Sequence, residues 1–281
     1  MSRPAVAIVN ACLRDGLGGS PTAVLAEDPD LSEDQRRAVP VRSGTSHAVF
    51  VSRAGDAVSL RFYTATGELP ACGHGTVAAL AHLAAEAGTS EYTTMLRAGG
   101  RLFTGQATAA AGQYSATFDP GPVTLQPARD TPAVLAILSA LGLGSRNLVT
   151  EDLCVASAGR PRLLVPVPSR PVLDSLAPDP DQLRAACDHS GLLGCYVYTV
   201  PSPTGRTAAR MFAPSIGVPE DIANANSTAC LAGYLASRDG TATVTSDMGD
   251  SLGAPATITA TASRTTAGLA VQAGGAASVN A

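Results

Sequence analysis

The chain has 281 residues, with 23 acidic and 19 basic side chains and a net charge of −4, a balance that leaves no electrostatic footprint for nucleic acid or an anionic membrane. Every basic residue is arginine, so Schiff-base catalysis and the usual attachment of pyridoxal phosphate have no side-chain amine to use. The six cysteines (Cys12, Cys72, Cys154, Cys187, Cys195, Cys230) form no CxxC pair and no zinc-like spacing, and neither a cleavable signal pattern nor a membrane-length apolar run is present, so a cytoplasmic protein with reduced thiols is expected.

In chain order, Ala5 to Val9 reads as a strand, and Ser32 to Ala38 as a helix capped by Ser32. Strands follow at His47 to Ser52 and Val58 to Tyr63, and then the segment GELPACGHGTVAAL, residues 67–80. Its glycines let the backbone turn sharply and approach a ligand. The small apolar run behind them predicts a buried helix over Gly75 to Ala87. A buried helix start leaves N–H groups for an anion, with the proton-moving side chains of Cys72 and His74 at its rim. Further strands are expected at Arg101 to Gln106 and Tyr114 to Phe118, and the Pro-rich stretch from Asp119 to Pro132 suggests a boundary between residues 1–118 and 119–281. Helices at Thr131 to Leu141 and Asp179 to Ala186 alternate with strands at Arg162 to Val167, Cys195 to Val200 and Thr207 to Phe212. A helix at Ala223 to Ser237 and a strand at Ala256 to Thr261 follow. The tail AGGAASVNA reads as low-complexity and frayed at its end.

The second half repeats the first in outline. MFAPSIGVPEDIANANSTACLAGYL (residues 211–235) runs from an extended segment through a Gly/Pro turn into acidic and small polar residues, then an Ala-rich buried helix. Two such units suggest two similar lobes facing each other across a cleft.

These two stretches carry a family resemblance. RFYTATGELPACGHGT resembles the F-x-P-x-x-E-x-P-F-x-G-H-x-T signature of the PhzF-like isomerases, named for phenazine biosynthesis, and RMFAPSIGVPEDIANANSTA resembles their R-x-F-x-P-x-x-G-x-x-E-D-P-A-T-G-S-A segment. GGSPTAVL, SGTSHAVFV and MGDSLGAPA are similar, in order, to three shorter motifs of the same family. The resemblance implies an α+β, diaminopimelate-epimerase-like fold, in which each of two pseudo-symmetric lobes wraps a curved sheet around a central helix. It allows the last strand to return to the first lobe. It also implies cofactor-free catalysis, frequent homodimers, and a Glu that moves the substrate proton with help from a Gly-His pair and an Asp.

Gly73, His74 and Asp221 match that pattern, with Asp221 also a candidate cap for the helix beginning near Ala223. His47 stands where the family has its Glu, Asn226 where it has Ser, Ser20 where it has Asn and Ala254 where it has Arg. Two readings of His47 stand side by side: a polar strand residue marking lost activity, or an imidazole replacing the carboxylate as acid/base. Its unperturbed pKa of about 6.5 against about 4.3 for Glu favours the second. CGHGT also resembles the first half-site of two-thiol racemases, but a partner thiol would belong near Asn224. Cys230 lies about one and a half turns further along at ~3.6 residues per turn and reads as core. Cys72 is then a packing residue or a second candidate base. His82 reads as core or polar edge, and His189 as a surface turn or helix end.

The expected function is a cofactor-independent isomerase that shifts a proton and a double bond in a small unsaturated amino or imino carboxylate, a pyrroline-type acid of antibiotic biosynthesis. His47, His74 and Asp221 are the catalytic candidates, and Cys72, Gly73, Gly75, Asn224, Asn226 and Ser227 the substrate-binding ones, with no metal and no cofactor. An amino-acid racemase and a catalytically silent binding protein are the competing readings.

Overall fold

The structure, a computed structural model, describes residues 5–128, 131–144 and 152–279. Its first half contains β1 (Ala7–Leu13), β2 (Ser20–Ala26), α1 (Glu33–Ser43), β3 (His47–Ala54), β4 (Ala57–Thr64), β5 (Gly67–Leu69), α2 (Gly73–Ala87), β6 (Glu91–Ala98), β7 (Arg101–Ala110) and β8 (Gln113–Phe118). The second half contains β9 (Thr124–Pro127), α3 (Pro132–Ala140), β10 (Cys154–Ala158), β11 (Arg160–Val167), α4 (Arg170–Asp174), α5 (Pro180–His189) and β12 (Cys195–Thr199). It continues through β13 (Arg206–Ala213), β14 (Val218–Asp221), α6 (Ala225–Asp239), β15 (Thr241–Met248), β16 (Ala256–Thr265) and β17 (Gly268–Val279).

Two curved sheets each enclose one helix, the α+β architecture that the resemblance implies. Around α2 the strands run β1–β2–β3–β4–β6–β7–β8, and β17 pairs with both β8 and β1 to close the ring. Around α6 they run β9–β10–β11–β12–β13–β15–β16–β17. The pseudo-symmetry is visible in the crossovers: β4 and β6 are parallel on either side of α2, as β13 and β15 are on either side of α6.

Small residues let the strands close on these helices. Eleven of the fifteen residues of α2 are buried, most of them Ala, Gly or Val, which fits a helix walled in on all sides. A Cβ on Gly105 of β7 would lie 2.8 Å from Leu80 of α2. Outside the second sheet, α3 and α5 form a separate core with Leu163, Val165 and Phe212. β11 is therefore covered on both faces, and its run RLLVPV is buried throughout.

The tail departs from the sequence reading. Gly268–Val279 is the longest strand described, paired with β16, β1 and β8, while Asn280 and Ala281 lie outside the described residues. Its low complexity has a steric cause: a Cβ on Gly274 would sit 2.1 Å from the carbonyl oxygen of Ala116, and one on Gly275 would sit 3.1 Å from Cys12 Cα.

Candidate active site

The starts of α2 and α6 meet head to head. A Cβ on Gly73 would lie 2.7 Å from Ala225 Cβ and 3.1 Å from the Asn226 nitrogen, so this approach requires residue 73 to lack a side chain. Cys72, the N-cap of α2, supplies no side-chain cap, leaving first-turn N–H groups uncapped. At α6 the cap is Asn224, not Asp221: Asn224 Oδ1 accepts from the Ser227 N–H at 2.9 Å, and Asn224 Nδ2 donates to Asp221 Oδ2 at 3.0 Å. Asp221 closes β14 one step earlier and is thereby free to face His74.

A cavity of about 300 Å³ opens where these helix starts meet β3 and the turns before β7 and β11. His47, Cys72, Gly73, His74, Asp221, Asn224 and Asn226 all line it. Two residues expected to bind substrate, Gly75 and Ser227, do not line it. Gly75 faces the core, where a Cβ would meet Phe62 and Val49 at 3.1 Å, and Ser227 is fully buried behind the wall.

His47 begins β3 and is 2% exposed. Its Nδ1 lies 2.9 Å from Ser46 Oγ. Its ring meets that of His74 edge to face, with centroids 4.4 Å apart. Burial first, and then the neighbouring His74, push the pKa of His47 well below 6.5, so it is neutral at neutral pH.

His74 is also 2% exposed. Its Nδ1 lies 2.8 Å from the Ala223 carbonyl oxygen, and because a carbonyl only accepts, that nitrogen carries a proton. Asp221 Oδ2 is 3.9 Å from the same nitrogen, and Cys72 Sγ is 3.5 Å from Nε2. Burial opposes the imidazolium, but the neighbouring Cys72 Sγ and the Asp221 carboxylate outweigh it and raise His74 to about 10. Asp221 itself is 5% exposed and held above the usual carboxylate range by desolvation, against the pull of His74. Two imidazoles in contact are thus held in opposite charge states, the arrangement that separates a base from an acid.

The donor atoms of His47, Cys72 and His74 lie within 4.8 Å of one another, so they form the group among the described residues able to hold a soft metal ion. Glu220 turns away from the cavity and forms a two-pronged pair with Arg210 at 2.9 and 2.7 Å. The Glu-Asp pair therefore divides its work, one carboxylate pinning β14 to β13 and the other entering the site. Cys230 is fully buried in α6 and does not line the cavity, so it offers no second thiol. His82 is half-buried beside Glu86, and His189 ends α5.

Arg162 on β11 went unnoticed in the sequence. It lines the cavity at 1% exposure and donates to Ser227 Oγ at 3.0 Å and to the Arg160 carbonyl at 2.7 Å. The available signal was an arginine leading an otherwise apolar strand, a position where an exposed charge has no place. Cys12 is a buried core residue that does not line the cavity. It sits at a bulge of β1 with φ 64°, its thiol raised by burial and by the charge of Asp221 and Cys72.

Comparison with known proteins agrees with this geometry. The model of the phenazine biosynthesis-like (PhzC-PhzF) family matches residues 9–281. The uncharacterized isomerase YddE of Escherichia coli strain K12 is 27% identical over 238 residues, covering 83% of this chain and 79% of that protein. Trans-2,3-dihydro-3-hydroxyanthranilate isomerase of Pseudomonas aeruginosa is 30% identical over 234 residues, covering 82% and 78%. A Bacillus anthracis phenazine biosynthesis protein of the PhzF family superposes with a TM-score of 0.83 at 17% identity, over 100% of this chain and 98% of its own, a likeness of fold alone. Five ordered motifs, two curved sheets whose enclosed helices abut at their starts, and a family match over nearly the whole length lead to one conclusion: the chain belongs to the PhzC-PhzF, phenazine biosynthesis-like, family and is an isomerase.

Proposed function

We propose that this isomerase moves a double bond in a small unsaturated amino or imino carboxylate, a pyrroline-type acid of natural-product biosynthesis, by a proton shift that needs no cofactor. The observation that carries the reading is the His47–His74 contact inside the cavity, with one ring neutral and the other cationic. In the tautomer whose Nδ1–H donates to Ser46 Oγ, the lone pair of His47 Nε2 is left for substrate. That nitrogen takes a proton from the activated carbon. The electron pair of the broken C–H bond spreads through the conjugated system, and the adjacent C=C bond becomes the new electron-rich end. The same imidazolium returns its proton there, so no proton is gained or lost overall. Its lowered pKa makes protonated His47 a ready donor, whereas His74, raised to about 10, keeps its proton and stabilises the negative charge together with the uncapped N–H groups of α2.

The test is turnover of cyclic dienamine and pyrroline carboxylates, followed by ultraviolet absorbance and by deuterium incorporation in D₂O, on chelated and unchelated enzyme. Expected is a change in conjugation with deuterium at the new C–H position and equal rates with and without chelator. Exchange at the α-carbon with inversion and no change in conjugation would instead identify a racemase. Activity lost on chelation and restored by zinc would put a metal on His47, Cys72 and His74 and remove the one-base mechanism.

A further inference from the structure

We propose that Arg162 is the anchor for the ligand's carboxylate. The inference rests on the reading of the cavity as a carboxylate site and names the group that fixes the ligand within it. A guanidinium carries five N–H donors in a rigid fork. Among the described residues Arg162 uses two of them, toward Ser227 Oγ and the Arg160 carbonyl, and its buried Nε has no partner. No carboxylate of the described residues pairs with it. Its titratable neighbour Cys230 offers no counter-charge, since burial holds that thiol in its neutral form.

A buried charge without a partner is costly, by several kcal/mol even after relaxation of its surroundings. The fold nevertheless holds this one in a fixed plane, at 1% exposure, against a cavity. Arg101 and Arg160 also line the cavity. Two helix starts abut there, and the imidazolium of His74 adds its charge. The carboxylates on the wall are already engaged. Asp221 holds Asn224, and Asp119 accepts from the Gly121 N–H at 2.7 Å. What is missing is a planar anion with two acceptor oxygens, which a carboxylate supplies to the fork. Ser227 acquires a role from this arrangement. It touches no ligand and holds the guanidinium in place.

The consequence is selectivity for the ionised acid over its neutral isostere. Pyrrole-2-carboxylate and pyrrole-2-carboxamide have the same shape and differ in that charge. Titrated into the wild-type protein by calorimetry, the acid should bind about 10–100-fold more tightly than the amide, the usual worth of hydrogen bonds to a charged group. Arg162→Met should abolish the preference, and Arg162→Lys should retain part of it. A wild-type protein that binds neither acid nor amide, or a preference that survives Arg162→Met, overturns the proposal. If Arg162→Met fails to fold, Arg162→Lys decides: it must weaken the acid and spare the amide, and an equal loss for both assigns Arg162 to structure alone. An Arg162-dependent preference in a protein that shifts no double bond would leave the anchor standing and remove the isomerisation reading. Isomerisation with no Arg162-dependent preference would do the reverse.

Discussion

The two strand–hairpin–helix units of this protein follow the same path and differ where their helices begin. In the first, β4–β5–α2–β6, the N-cap is Cys72 with no side-chain bond, and the residues behind it are Gly73 and His74. In the second, β13–β14–α6–β15, Asn224 caps the helix and is itself held by Asp221, while Ser227 in the first turn holds Arg162. One helix start is left open and carries a titratable ring. The other is closed by its own polar side chains and supplies fixed charge. The chemistry belongs to the contact between the units, because His74 is held cationic by Cys72 at its own helix start together with an aspartate from the opposite half and, through its ring, disfavours charge on His47.

Removing the base breaks that division most sharply. His47→Ala should lower the rate by about 10²–10⁴-fold with the fold intact, as circular dichroism would show. The wild-type rate should stay level through neutral pH and fall at acid pH, because the pKa of His47 lies well below 6.5 and its imidazolium cannot accept a proton. A fall centred at or above 6.5 would place the base elsewhere.

Asp221→Asn tests the reach of the second unit into the first. It removes negative charge beside His74 and should cost roughly 10²-fold in rate, as loss of one preorganised electrostatic partner does. It also carries a stability signature. A histidine whose folded pKa is raised to about 10 contributes stability that is complete below about 6.5 and is lost as pH rises through 10. Melting temperature of the wild type should therefore decline between those limits, and Asp221→Asn should decline less. Parallel profiles would mean that Asp221 is not what holds the proton on His74.

Gly73→Ala addresses the contact itself. Its new methyl would press on Ala225, so thermal stability should drop by about 1–3 kcal/mol, the range for overpacking. Activity should fall further than with Ala substitution at exposed Gly144, where the added Cβ meets nothing and the backbone is not in the left-handed region. Cys72→Ala removes the sulfur that ranks ahead of Asp221 in holding the proton on His74, so its cost should be close to that of Asp221→Asn, roughly 10²-fold. A dead Cys72→Ala beside an active His47→Ala would move the base to the thiol.

Much of this was legible beforehand. The helix at Ser32 announced itself through its cap, and the structure adds the reciprocal bond in which the Ser32 N–H donates to Gln35 Oε1. The CGHG and EDIANAN segments combined glycines, proton-moving residues and Ala-rich helices at one spacing. Less visible were strands such as β2, β6, β15 and β17, whose Ala, Thr, Ser and Gly content has weak intrinsic strand preference and is fixed by the partners on either side. Arg162 was hidden for a related reason. One arginine at the head of an apolar run hints at burial, but its place in the site emerges only when β11 is covered on both faces and Ser227 is brought to it from 65 residues away.

The sequence by itself determined the family, the two repeated units and the residues able to move protons, since these depend on residue type and on spacing along a few turns of chain. The tertiary structure alone decided which of those residues meet. Asp221 reaches His74 across 147 positions and Arg162 reaches the cavity from a different sheet. The charge state of each histidine follows from burial and from neighbours brought by the fold, quantities that local spacing does not contain.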